Sequence, residues 1–200
     1  NKEFLVMWQD ILRLYRISNR KHYTGMLALE EIVDESVKEN EAIAGTTAFY
    51  VVDGQQRITS LIIIISSLIA YICEELPDQD HTTYNNLLII NDVIYRLGYS
   101  DKRSTEEAKF FEERIYKNST GQSHADKYLS NIDAAKGYID KELNRISGET
   151  AKEILDTILD RIVFNLYFVT EDFDVRVTFE TINNRGKRLS KLELLKNRLM

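Results

Sequence analysis

Asp53, Gly54, Gln55, Gln56 and Arg57 set a carboxylate, a glycine, two amides and a guanidinium side by side, between the run AFYVVD at 48–53 and the apolar run ITSLIIIISSLIAYIC at 58–73. The first run is β-branched and aromatic and predicts a strand; the second predicts a buried helix. Two readings of the junction are open. In one, Asp53 is an N-cap and Gln56, three positions on, completes a capping box. That leaves Gly54 and Arg57 unexplained. Glycine in a first turn costs up to about 1 kcal/mol relative to alanine, and a cation is disfavoured at the positive end of a helix macrodipole. In the other reading the helix start holds an anion. Glycine lets the backbone come close, free N–H groups point at the oxygens, and Arg57 offers a bidentate fork. Phosphate is the natural candidate, although Asp-Gly is also an ordinary turn dipeptide.

A second group lies in FETINNRGKRLSKLELLKN at 179–197, where Asn183, Asn184, Arg185 and Lys187 gather amide and cationic donors around Gly186. Such a composition suits phosphate or base-edge contacts. With Arg188, Lys191, Lys196 and Arg198 it forms a basic end opposed within 183–200 only by Glu193, on a chain of formal charge −6. The plainer reading is a solvated turn between helices. Gly186 would stop a helix over 175–184, and Ser190 with Glu193 has the capping-box form for a last helix at 191–199.

These residues need elements to hold them. Phe4, Met7, Trp8, Ile11, Leu12 and Tyr15 predict an amphipathic helix over 3–16. HYTGMLALEEIV at 22–33 suits a strand, joined to the strand at 48–53 by an acidic, solvated connection, so the two form a long-looped hairpin. Beyond Pro77 four apolar stripes predict helices: Leu87, Leu88, Ile90, Val93, Ile94 and Leu97; Phe110 to Tyr116; Tyr128 to Leu143; Ile154 to Ile162. VFNLYFVTE at 163–171 returns to strand chemistry. The class is therefore α+β, a small sheet with a hairpin packed against a predominantly helical insertion. Its division is a discontinuous core of 1–76 and 163–200 with the insertion at 77–162.

A chain of 200 residues, 44% hydrophobic and 29% charged, can bury a substantial core, and a single proline with eight glycines favours long regular elements. Cys73 stands alone, so no disulfide framework exists, and a reducing, cytoplasmic setting fits. His22, His81 and His124 lack metal-ligand spacing, and no metal is assigned to them. The run at 58–73 falls short of the roughly 20 residues of a membrane span and reads as a core helix, with no membrane partner. The chain opens at Asn1 without an initiator methionine and ends inside a helical pattern, as a piece of a longer protein would.

VVDGQQRITSL at 51–61 resembles the D-G-Q-Q-R-(L/I)-T-(T/S)-L segment of the N-terminal domain of GmrSD-type restriction endonucleases, and FETINNRGKRLSKLELLKN resembles that family's F-x-x-(L/I)-N-x-R-G-x-x-L-(S/T)-x-x-(D/E)-L-(L/I)-K segment. HYTGMLALEEI is similar to its (Y/H)-(F/Y)-x-G strand. The order and wide separation also match. The resemblance implies a ParB/sulfiredoxin-like fold whose strand-to-helix junction binds nucleoside triphosphate, with hydrolysis and with Mg²⁺ as companion. It implies nucleotide binding by Asp53, Gly54, Gln55, Gln56 and Arg57, with Asn183, Arg185 and Gly186 as secondary contributors. Asp53, Gln55, Gln56 and Arg57 would carry the catalytic role. Arg185, Lys187, Arg188 and Lys191 would face nucleic acid. The family's opening I-P-x-(Y/F)-Q-R strand and its H-N-H or D-H-x-x-P nuclease segment are not found in this sequence. DNA cutting in anti-phage defence would then fall to a C-terminal HNH-type nuclease domain or partner subunit.

The expected activity is thus triphosphate binding and hydrolysis in the service of a DNA restriction enzyme. The alternative is a nucleic-acid-binding module without turnover, whose affinity would fall steeply with salt. A third reading is a protein scaffold in which DGQQR only starts a helix, and there Gly54→Ala would be tolerated.

Overall fold

A computed structural model describes residues 2–17, 20–33, 47–90, 94–98, 105–119 and 127–169. The stretch 170–200, with Asn183, Arg185, Gly186, Lys187, Arg188, Lys191 and the helices expected at 175–184 and 191–199, lies outside the described residues. The α+β class expected from the sequence is the class observed.

Three strands form the larger sheet: β1 (His22–Glu31) at its centre, β2 (Phe49–Asp53) antiparallel on one side and β5 (Ile162–Val169) parallel on the other. The hairpin of β1 and β2 is the one the sequence predicts. Two irregularities interrupt the pairing. Against β5 the register passes from Tyr23↔Val163 to Gly25↔Phe164, which leaves Thr24 as an extra residue. Against β2 it passes from Ala28↔Asp53 to Leu29↔Val51, which leaves Val52 over. Such bulges bend a strand and sharpen its twist, here at the two ends of the stretch facing the next helix.

That helix, α2 (Gln55–Glu75), is the axis of the molecule. Its residues from Ser60 to Ile69 are all buried. Phe4, Trp8 and Ile11 of α1 (Lys2–Arg16) join it in one apolar core. So do Ile132, Ile139 and Leu143 of α5 (Lys127–Leu143), and Ala151, Ile154, Leu155 and Ile158 of α6 (Gly148–Arg161). A helix covered all round must be apolar all round, which accounts for the isoleucine run. By length and composition alone α2 could cross a bilayer, but neighbouring helices occupy the positions that lipid would take. Two polar groups on it are satisfied across the core: Ser66 Oγ donates to the Ile115 carbonyl and Tyr71 Oη to the Ile146 carbonyl at 2.7 Å. Gly148 admits the start of α6 against the end of α2, since a Cβ there would lie 2.8 Å from that of Glu75.

One predicted helix is not found among the described residues. The stripe from Leu87 to Leu97 follows a single helical turn, α3 (Thr82–Asn85), and contains a strand pair, β3 (Ile89–Ile90) and β4 (Ile94–Tyr95), paired Ile89↔Tyr95 and Ile90↔Ile94. The spacing of the apolar residues fits a helix, but Ile89, Ile90 and Ile94 are β-branched, and the strand preference prevails there. Next come α4 (Thr105–Phe111) and a π-helical turn, Glu112–Tyr116.

The π turn carries Arg114 into a charged cluster whose cations are buried and whose carboxylates keep access to water. Arg114 pairs with Asp133, donates to the Ser119 carbonyl at 2.9 Å and lies 3.9 Å from Asp140, while Lys136 Nζ meets the other oxygen of Asp140 at 2.5 Å. Lys136 is 1% exposed, and burial pushes its ammonium below the usual lysine range against the pull of Asp140. Removing the anion from such a pair strands a buried charge, whereas replacing the cation with an apolar side chain does not. Asp140→Ala should therefore lower unfolding free energy by about 3 kcal/mol. Lys136→Met should cost far less or stabilise, as read by urea denaturation.

Candidate functional site

β2 becomes α2 within one residue. Gly54 is the N-cap, at φ 90° and ψ 9° in the left-handed region, and no side chain caps the helix. Asp53, expected as the cap, is instead the last residue of β2, held opposite Ala28. The strand keeps it one residue short of the cap position, and its carboxylate turns along the helix to accept from Arg57 Nη2 at 3.3 Å. The capping box with Gln56 does not form. Gly54 O receives the amides of Arg57 and Ile58 at 3.0 and 3.1 Å. The amides of Gln55 and Gln56 come earlier in the helix and find no side-chain acceptor, as the first N–H groups of an uncapped helix do.

Gly54 is needed for shape. A Cβ on it would lie 2.5 Å from Leu27 Cδ2 and 3.0 Å from the Met26 carbonyl, both on β1, in a conformation L side chains avoid. Gly54→Ala is thus disfavoured whether or not an anion binds, and tolerance of that substitution no longer separates a scaffold from a binding site.

A second glycine completes the geometry. Gly25 has φ +119°, and a Cβ there would come within 2.0 Å of Arg57 Nη1 and 3.2 Å of its Cζ. The guanidinium lies against the bare backbone of β1, next to the Thr24 bulge, with Asp53 on its other flank. The sequence holds Gly25 only as part of the HYTGMLALEEI resemblance. The signal that could have singled it out is an isolated glycine inside a strand pattern, which marks a bulge or a close approach.

In front of this junction opens a cavity of about 730 Å³, of a size that takes a small molecule. Gln56 and Arg57 of α2, Lys2 and Asp10 of α1, and His22 and Thr24 of β1 line it. Asn131 of α5 and Ile162 at the start of β5 close it. His22 Nε2 stands 3.9 Å from Asp10 Oδ2 across one wall. Of the residues singled out from sequence, Gln56 and Arg57 face the cavity and Asp53 reaches it through Arg57. Gln55 folds away, its Nε2 donating to the Val51 carbonyl at 2.7 Å, and Gly54 is buried behind them.

A family model, the GmrSD restriction endonuclease N-terminal domain, matches residues 1–200. The chain belongs to that family. No curated protein matched it. The match runs through the helical stretch 77–162 as well as the sheet, so the GmrSD domain includes the helices that pack round α2. It is a module of a restriction endonuclease.

Two substitutions test the junction of this GmrSD domain. Gly54→Ala should lower stability by about 1–2 kcal/mol from backbone strain alone, and by more once Leu27 must move. Gly25→Ala should cost less in an Arg57→Ala background than in the native chain, by about 1 kcal/mol. Equal costs in both backgrounds, measured by chemical denaturation, would mean that Arg57 does not fill that space.

Proposed function

We propose that this domain binds and hydrolyses a nucleoside triphosphate, and that the phosphates sit in the cavity before α2. The observation that carries the reading is the meeting of Arg57 and Gln56 with the uncapped start of a 21-residue buried helix at one concave surface. The guanidinium fork and the free amides of Gln55 and Gln56 are donors suited to phosphate oxygens. Because the Gln55 side chain is tied to β2, its contribution comes through the main chain. Lys2 adds a second cation to the wall.

Asp53 has a double part. Without ligand its carboxylate partly neutralises Arg57 at the positive end of the helix. When phosphate takes over the guanidinium, that carboxylate is left beside an anion. Mg²⁺ is usually held by one or two carboxylates together with substrate phosphates, and Asp53, about a quarter exposed at 24% beside Arg57, fits that donor set, with Asp10 on the wall as a second carboxylate. The ion would supply neutralisation of phosphate charge. The chain's own residues supply positioning and electrostatic stabilisation without a covalent intermediate. In the complete enzyme the triphosphate cycle would govern DNA cutting by a nuclease part outside residues 1–200.

Arg57→Ala should weaken ATP, GTP, CTP or UTP binding about 100-fold in a chain that melts normally, the loss expected for a charge-assisted contact; native affinity in that folded variant would sink the proposal. Asp53→Asn should keep or tighten triphosphate binding in EDTA while losing turnover with Mg²⁺. Pyrophosphate should compete in both cases. A steep loss of binding with salt and no competition by pyrophosphate would point instead to a nucleic-acid module.

A further inference from the structure

We infer that the open end of the three-stranded sheet is the docking face for this chain's own C-terminal segment, residues 170–200, with Val175, Phe179 and Ile182 laid across it. The inference stands apart from the triphosphate reading. Side chains two apart along a strand share a face, and the pairing lets that face be traced through all three strands. Leu27 stands opposite Leu166, Leu29 opposite both Phe168 and Val51, and Glu31 opposite Phe49. Leu27 meets the start of α2, since it is the residue that a Cβ on Gly54 would strike. Leu29, Phe49, Val51, Leu166 and Phe168 therefore belong to the face that the helices cover.

The helices cover that face only in part. Ile162 and Phe164 pack against the apolar core, whereas Leu166 and Phe168, next along the same side of β5, are 56% and 52% exposed. The direction of α2 accounts for this. Gly54 lies against Leu27 and Arg57 against Gly25, so the helix leaves toward the start of β1 and away from Leu29. Phe168 keeps one aromatic neighbour, the ring of Phe49 at 5.5 Å on the far side of β1. A contiguous apolar patch of this kind marks a surface that something covers.

What covers it follows from where the chain goes. β5 ends at Val169, one residue past Phe168, and residues 170–200 continue from that point. Residues 170–174 can reach roughly 17 Å, more than the roughly 10 Å between packed layers. Val175, Phe179 and Ile182 recur at helical spacing, and a helix over 175–184 would be about 15 Å long. The patch spans two strand spacings, roughly 10 Å, so one face of such a helix matches it. Charge agrees: Glu30 and Glu31 are exposed at the end of β1, and the segment brings Arg176, Arg185 and Lys187. The hairpin connection at 34–46 belongs to the same end of the sheet, but it carries Asp34, Glu35, Glu39 and Glu41 with only Val37 and Ile43 as large apolar residues. That composition suits water and is repelled by an acidic rim. A second copy of the chain would have to compete with a segment tethered a few residues from the patch, whose effective concentration is of millimolar order.

Replacing Phe168 by p-benzoylphenylalanine in the whole chain tests this, with cross-linked peptides read by mass spectrometry. Irradiation should join position 168 to residues within 173–184 of the same molecule, at a yield independent of protein concentration. Cross-links confined to 34–46, cross-links between two copies, or no cross-link to the chain would each overturn the inference. Thermal melting of Phe168→Ala, Phe179→Ala and the double variant gives a second readout. Each single variant should melt about 4 °C lower, as when part of an aromatic side chain loses an apolar contact. The double variant should fall little further, because the two side chains share that contact. Additive shifts, or native melting in Phe179→Ala, would also overturn it. Neither readout uses nucleotide, so the triphosphate reading survives its failure.

Discussion

One backbone turn at positive φ carries the architecture. Gly54 takes the chain out of β2 and into α2 without an intervening loop, and it can do so only because no side chain stands between it and Leu27. The direction in which α2 leaves the sheet sets where its buried face points. That face is the surface on which α1, α5 and α6 assemble. A larger residue at 54 would tilt the helix away from β1, and the displacement would grow along its length. Core and cavity share this origin, since the same turn that aims the helix also brings Gln56 and Arg57 to the cavity and leaves the helix start without a side-chain cap.

Arg57 shows how a fold tolerates a charge in an unfavourable place. A guanidinium in the first turn of a helix opposes the macrodipole. Three features offset that: Asp53 one turn back, contact with the bare backbone at Gly25, and partial access to the cavity. The Asp53 pair is about a quarter to a third exposed, and an exposed ion pair contributes little to stability. Conformational stability is therefore a weak reason for an arginine at this position. An exchangeable pair beside free amides is, by contrast, well suited to trading one anion for another.

Much of this was legible in the chain. The amphipathic helix, the hairpin, the core helix and the last strand follow from apolar spacing and β-branched content, which report local structure directly. The anion reading of Gly54 and Arg57 starts from a capping box that leaves both unexplained, and it stands here as a proposal. What stayed hidden depends on residues distant in sequence. β1 pairs with β5, more than a hundred residues on, and neither run announces its neighbour. The use of Gly25 becomes visible only when Arg57 is laid across it. Asp53 looks like a cap because the sequence does not show how far β2 extends, and the 87–97 stripe satisfies a helical period that its β-branched residues then refuse. The Thr24 bulge shows in the sequence only through its neighbour Gly25, an isolated glycine inside a strand pattern.

The cavity cannot be credited to the sheet alone. Its wall is made by α1, β1, the first turns of α2, Asn131 of α5 and Ile162 where α6 passes into β5. A ligand that binds only when these surfaces are in register stabilises that register by mass action, in proportion to the logarithm of its concentration over its dissociation constant. Binding at the α2 junction would thereby tighten the helices as well as the strands, because α2 joins both. The charged cluster of Arg114, Asp133, Lys136 and Asp140 ties the π turn to α5 on one flank of the same axial helix. Arg114 thereby links the π turn to the helix that carries Asn131 on the wall of the cavity.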